Sequence, residues 1–326
     1  MDDKTHLLVG IDTEGDNLWD LAARANRTFE NIYALPALDD LFGRHGVRPT
    51  YFVTYPVVAD ARSVDVLRRL TAKGTCEVGA HHHAWETPPC TDDDVRALRY
   101  ALSLPVERFE AQLEELTGTI EAAVGSRPVS YRSGRLGFAA AHVSGLERAG
   151  YRVDSSIAPL YYEAHKGGPD FVDAPVAPYF LGYDSATRPG SSTLLEVPLS
   201  CALNRRVPPF VERLYGRAPW NYTTKRVLRL ARLARLLWLR PSFSSLEDMK
   251  RLARRLVADG VPVLSLAFHS SEMLVGCSPY HQTEAELQVF VARLEAFLDF
   301  AARELNASPV TFAEYRDATV PLRTEL

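Results

Sequence analysis

Short apolar runs alternate along this chain with segments of helical period, and no other feature constrains the fold as tightly. Strand-length runs fall at residues 7–11, 49–54, 76–79, 128–132, 151–155, 194–199, 261–268 and 310–312. Between them, residues 35–44, 64–73, 106–124, 139–149 and 284–305 carry apolar positions three or four apart, as Phe109, Leu113, Leu116 and Ile120 do. Gly46 and Gly74 stand where the first two of these helices stop. Strands alternating with helices predict a parallel sheet or barrel. With about eight strands and no glycine-rich phosphate loop, the pattern favours a barrel over a nucleotide-binding sheet.

A chain of 326 residues suffices for two ordinary domains, or for one barrel with elaborated loops. No internal repeat or low-complexity linker divides it. The expectation is therefore a single domain over 1–326, with inserts at about 156–193 and 201–245. The first insert is rich in Pro, Gly and Tyr and reads as a long loop over one barrel mouth. The second holds eight basic residues and no acidic one between Arg213 and Leu246. Its 213–240 stretch reads either as an interfacial helix docking on an anionic membrane surface or as a barrel-side helix with leucines packed inward.

The 37 Lys and Arg nearly offset 41 Asp and Glu, for a net charge of -4, and 46% of residues are hydrophobic. That balance excludes global disorder and a protein that coats nucleic acid by charge. No apolar run is long enough for a transmembrane helix. The acidic start, Met1-Asp2-Asp3-Lys4, lacks the basic and apolar regions of a signal peptide. Cys76, Cys90, Cys201 and Cys277 form no C-x-x-C pair, as in a reducing compartment. The expected location is cytoplasmic, peripheral to the inner membrane surface if the basic stretch docks there.

Chemistry-bearing residues sit at the ends of these runs. Asp12-Thr13-Glu14-Gly15-Asp16 follows the first, and carboxylates two apart on an extended chain project to one face. In Gly79-Ala80-His81-His82-His83-Ala84-Trp85, His81 and His83 aim at one point while His82 faces away. Two histidines and one carboxylate, with a position left open for water, are what hydrolytic zinc requires. His269 closes a very apolar run, and Arg132 ends another. A buried Arg132 needs a carboxylate, for which Asp12 is the natural candidate.

Taken in order, these residues resemble the polysaccharide deacetylase family (carbohydrate esterase family 4, the NodB-homology fold). Asp12-Thr13-Glu14 resembles the first motif and Glu77-Val78-Gly79-Ala80-His81 the second. Tyr131-Arg132-Ser133-Gly134-Arg135 is similar to the arginine motif lining the groove. Asp154-Ser155-Ser156 is similar to the motif that carries an aspartate, and His269 stands for the histidine acid. Thr13 separates acids that are commonly adjacent, and His83 replaces a second histidine commonly four residues after the first, which is similar to an H-x-H branch of the family.

The resemblance implies a distorted (β/α)7-type barrel with loop and helical insertions. It implies catalytic roles for Asp12 as base, His269 as acid, and Arg132 and Asp154 as orienting groups, Asp154 acting on either His269 or Arg132. Glu14, His81 and His83 would ligate Zn2+, or another divalent ion such as Co2+ or Ni2+, with Asp16 as the alternative carboxylate. Trp85, Tyr131 and Arg135 would contact substrate. Arg135 takes a position usually held by tyrosine, and its charge points to an anionic sugar, phosphate or pyrophosphate. The expected reaction is removal of an N-acetyl group from an amino sugar or glycan precursor. Alternatives are an allantoinase-like hydrolase of a non-sugar C–N bond and a catalytically silent carbohydrate-binding barrel.

Overall fold

The computed structural model describes residues 4–97, 99–217 and 234–319. Its strands are β1 (His6–Thr13), β2 (Thr50–Val53), β3 (Glu77–His82), β4 (Ser130–Ser133), β5 (Val153–Asp154), β6 (Tyr179–Phe180), β7 (Leu195–Glu196), β8 (Cys201–Leu203), β9 (Leu236–Trp238), β10 (Val263–His269) and β11 (Ser308–Pro309). The main sheet runs β10-β1-β2-β3-β4-β5-β7-β6, with β11 also on β1. Every pairing in it is parallel except that of β6 with β7. Beyond β7 the chain turns back towards β10, where Ser200 N donates to the Ser265 carbonyl at 3.2 Å and Ala267 N to that of Leu239 at 3.1 Å. The sheet thus curls into the distorted α/β barrel that the alternation predicts.

Strand alternation sorts side chains into two layers. Leu8, Phe52, Val153, Leu195 and Val263 pack inside the curl with Phe312. Leu7, Val9 and Ile11 face outward into the larger core. There they meet helices such as Ala61–Ala72, Val106–Val124, Leu246–Ala258 and Glu284–Arg303. Asp12 shares a face with Leu8 and pairs in register with Phe52 and His269, so it comes to the inner mouth of the curl. Gly10 lies one step below it, because a Cβ there would stand 2.6 Å from Nη2 of Arg132.

Two predicted elements differ. Residues 310–312 do not form a strand: the pairing with β1 is made by Ser308–Pro309, and Phe312 opens the helix Phe312–Thr319. The basic stretch is not one helix through to 240, since Leu236–Trp238 is a strand antiparallel to Cys201–Leu203. Residues 218–233, which carry half of its basic side chains, lie outside the described residues. The described ones are neutralised: Arg213 and Arg217 by Asp173, Arg235 by Asp248, and Arg240 by Glu272. No described helix is long and apolar enough to cross a membrane.

Candidate metal centre and active-site cleft

Glu14, His81 and His83 come together where β1 and β3 end, all three buried, each with a donor atom within 4.8 Å of the others. Nε2 of His83 lies 3.3 Å from Oε2 of Glu14 and 3.1 Å from Nε2 of His81, and His81 Nε2 lies 3.9 Å from the same oxygen. Donors about 2.05 Å from a tetrahedral zinc would sit about 3.3 Å apart, close to these spacings. The tautomers are set from behind. His81 Nδ1 donates to the Arg132 carbonyl at 3.0 Å, and His83 Nδ1 to Glu86 Oε1 at 2.8 Å. Both Nε2 atoms therefore carry lone pairs that face each other, an arrangement relieved by a cation between them.

The electrostatics agree. Burial pushes the Glu14 carboxyl up to about 7, and the Asp12 charge adds to it against His269. Burial also holds His81 down at about 3 and His83 well below its ordinary value, so both are neutral ligands. A buried carboxylate short of positive charge beside two neutral imidazoles fits a divalent cation. His82 turns to the opposite face and meets Oε1 of Gln112 at 2.8 Å. Asp16 is engaged elsewhere: its oxygens accept from the backbone N–H groups of Glu30 and Asn31 and, at 2.6 Å, from Asn31 Nδ2. It therefore does not complete the cluster.

Beside this cluster, Arg132 Nη1 donates to Asp12 Oδ1 at 2.6 Å. Burial opposes ionisation of Asp12, but the Arg132 guanidinium, with His81 and His269, holds the carboxyl well below the usual range. Nε and Nη2 of Arg132 donate to the carbonyl and hydroxyl of Ser155, at 2.9 and 3.0 Å. Across the mouth, His269 Nε2 lies 3.9 Å from Asp12 Oδ2 and 3.7 Å from Glu14 Oε1. Its Nδ1 is 2.9 Å from Oε1 of Glu272. Burial and Arg240 favour the neutral ring, yet Glu14, Glu272 and Asp12 prevail and raise its pKa.

Two predicted residues do not reach this group. Asp154 orients neither Arg132 nor His269. It pairs in register with Tyr131 and Glu196, opposite in alternation to the inward Val153, and its Oδ1 accepts from Ser156 Oγ at 2.5 Å. Burial raises both the Asp154 and Glu196 carboxyls, which face one another. Tyr131 lies one residue before the inward Arg132 and is fully buried against Tyr151 and Phe109 instead of lining the groove. Trp85 and Arg135 do line the cleft. Glu86 and Glu272, absent from the sequence reading, follow His83 and His269 at the same spacing of three, which is the signal that would have found them.

The cleft above these residues has a volume of about 1850 Å³, more than the roughly 300–1,000 Å³ of a drug-sized pocket. Trp19, Trp85, Tyr161, Trp238, Phe243 and Tyr280 supply aromatic walls.

Part of the chain, and its fold as a whole, resemble proteins already known. Residues 24–153 match the model of the polysaccharide deacetylase family, a stretch that contains His81, His83 and Arg132. The resemblance carried by the motifs therefore stands. A Mycobacterium smegmatis protein assigned as a polysaccharide deacetylase superposes with a TM-score of 0.58 at 14% identity, over 99% of this chain and 92% of its own. A glycoside hydrolase/deacetylase assignment from Parabacteroides distasonis gives 0.61 at 13% identity, over 96% and 71%. The 4-alpha-glucanotransferase of Thermococcus litoralis gives 0.50 at 14% identity, over 96% of this chain and 40% of that one. The barrel is thus shared by different chemistries, and the side chains at its mouth must carry the functional argument. No curated protein matches the chain significantly.

Proposed function

We propose that this protein is a metal-dependent hydrolase that removes the N-acetyl group from an amino sugar or a sugar-containing precursor, leaving a free amine and acetate. The observation that carries the reading is the pair of facing His81 and His83 Nε2 lone pairs beside Glu14, with Asp12 and His269 flanking them. The family match supports the same reaction class.

A divalent cation bound by Glu14, His81 and His83 supplies a Lewis acid for the amide carbonyl and acidifies water at neutral pH. Asp12, kept ionised by Arg132, accepts the proton of the attacking water. His269, whose proton affinity the carboxylates around it raise, gives a proton to the departing amine. Glu272 holds that ring by Nδ1, so Nε2 is the atom presented to the substrate. The aromatic walls cover sugar faces and exclude water.

The test is metal content of the purified chain, followed by acetate release from N-acetylated sugars. Metal with acetate release is the expected result, and Asp12→Asn should keep the metal while losing about 10²–10⁴-fold in turnover. Neither metal nor release would leave a silent barrel, and release from non-sugar amides alone would overturn the substrate.

A further inference from the structure

One wall of the cleft carries three arginines that, among the described residues, no carboxylate contacts directly. Arg24 lines the cleft although only 5% of it is exposed. Its Nε donates to the Leu18 carbonyl at 2.7 Å, and its guanidinium carbon stands 5.0 Å from the centroid of Trp85. Arg135 stands 5.1 Å from the same centroid, and Arg99 lines the cleft with them. Among the described residues none of the three has a carboxylate in ion-pair contact. The other wall is different, since Arg235 is held by Asp248 and Arg240 by Glu272.

This arrangement is costly for the protein alone. Burial and the neighbouring Arg135 lower the proton affinity of Arg24, and the charges of Glu86 and Glu14, neither in contact with it, offset this only in part. Arg135 and Leu136 also have φ of 53 and 58 degrees, a left-handed pair that non-glycine residues avoid. A turn that holds one cation beside others is a place where a bound anion is favoured.

Resting on the deacetylase reading above, we propose that Arg24, Arg99 and Arg135 form an anion subsite and that the substrate is an N-acetylated sugar carrying a phosphoryl group. Three guanidiniums with free N–H edges match the oxygens and the near-double charge of a phosphate ester better than they match a single carboxylate. A neutral glycan brings no counter-charge to any of the three. Trp85 ties the two sites together, because the indole that lies near Arg24 and Arg135 also stacks on His83 at 4.0 Å. The phosphoryl group therefore belongs to the acetylated sugar or to its immediate neighbour.

Acetate release is compared for N-acetylglucosamine 1-phosphate, UDP-N-acetylglucosamine, N-acetylmuramic acid and neutral chitobiose, at fixed metal and at two salt concentrations. A phosphorylated substrate should exceed the neutral one in kcat/KM by at least about tenfold, with the margin shrinking in high salt. Monoester and pyrophosphate substrates distinguish a sugar phosphate from a nucleotide- or lipid-linked unit. Arg135→Ala and Arg99→Ala should each cut the phosphorylated-to-neutral ratio by at least about fivefold. Arg254→Ala, whose side chain pairs with Glu304 away from the cleft, should leave the ratio unchanged. Inorganic pyrophosphate titrated calorimetrically into Asp12→Asn should bind, and binding should weaken when Arg135→Ala is added. Unchanged ratios, a preference for the neutral or carboxylated sugar, or no pyrophosphate binding would overturn the proposal. Absence of acetate from every sugar would instead refute the deacetylase reading, and pyrophosphate binding would still report on the arginines by themselves.

Discussion

Nδ1 of His83 lies 2.8 Å from Oε1 of Glu86, and this contact leaves Nε2 as the atom that faces Glu14 and His81. Glu86 is buried, and its other oxygen accepts from Arg27 Nε at 3.2 Å. A carboxylate behind a histidine ligand fixes the tautomer and raises its basicity. Glu86→Gln keeps an acceptor of the same shape but loses the charge. Zinc affinity should fall about 10–100-fold, read by competition with a chromophoric chelator, while the fold persists. Wild-type affinity in that variant would show that His83 is not a ligand.

Glu272 does the corresponding work for His269. Burial opposes its ionisation, but Arg240, His269 and Ser242 hold it down at about 2. A carboxyl depressed on folding stabilises the protein above its unfolded value of 4.5, and that contribution disappears as pH falls towards about 2. The stability gap between wild type and Glu272→Gln, on the order of 2–3 kcal/mol at neutral pH, should therefore close between those two pH values in urea titrations. Activity shifts too. Glu272 is one of the groups that raise the His269 pKa, so the alkaline loss of kcat should move to lower pH in the variant. An unmoved alkaline limb would separate Glu272 from the acid.

Much of this was legible because strand alternation has a period of two. Asp12, His81, Arg132 and His269 could be placed at one mouth from run ends alone, and the structure brings all four there. The same periodicity explains the misplaced residues, for Tyr131 lies one residue from the inward Arg132 and Asp154 one from the inward Val153. A sequence shows that alternation exists but not its phase when both faces are buried, and here both are. Of the arginine subsite only Arg135 was legible, because Arg24, on the short helix Leu21–Ala25, and Arg99 are brought to it by the fold alone.

Which acid completes the metal cluster can be decided by two substitutions. Glu14 faces both histidines, whereas Asp16 spends its oxygens on the first turn of the helix Glu30–Tyr33. Glu14→Gln should weaken zinc binding by more than about 100-fold, beyond the effect of an outer group. Asp16→Ala should retain the metal and lose about 1–2 kcal/mol of stability, the cost of unmade helix-start hydrogen bonds. Metal loss on substituting Asp16, measured in the folded protein, would reverse the assignment.

The turn after Arg132 leaves no room for a methyl group. A Cβ on Gly134 would stand 1.8 Å from Cδ2 of His83 and 2.9 Å from the His82 carbonyl oxygen. His83 cannot swing clear, because Glu86 holds one end of the ring and Trp85 stacks on its face at 4.0 Å. Gly134→Ala should therefore displace the ligand, with zinc affinity falling at least about tenfold and stability by about 1–3 kcal/mol. Gly118, inside the helix Val106–Val124, has nothing within 4 Å of its virtual Cβ. Gly118→Ala should be stabilising by about 0.5–1 kcal/mol with zinc affinity unchanged. Thermal melts and chelator competition on the pair separate steric eviction of His83 from a general intolerance of added bulk. Full zinc affinity in Gly134→Ala would mean that the ring position seen here is not the one that binds metal.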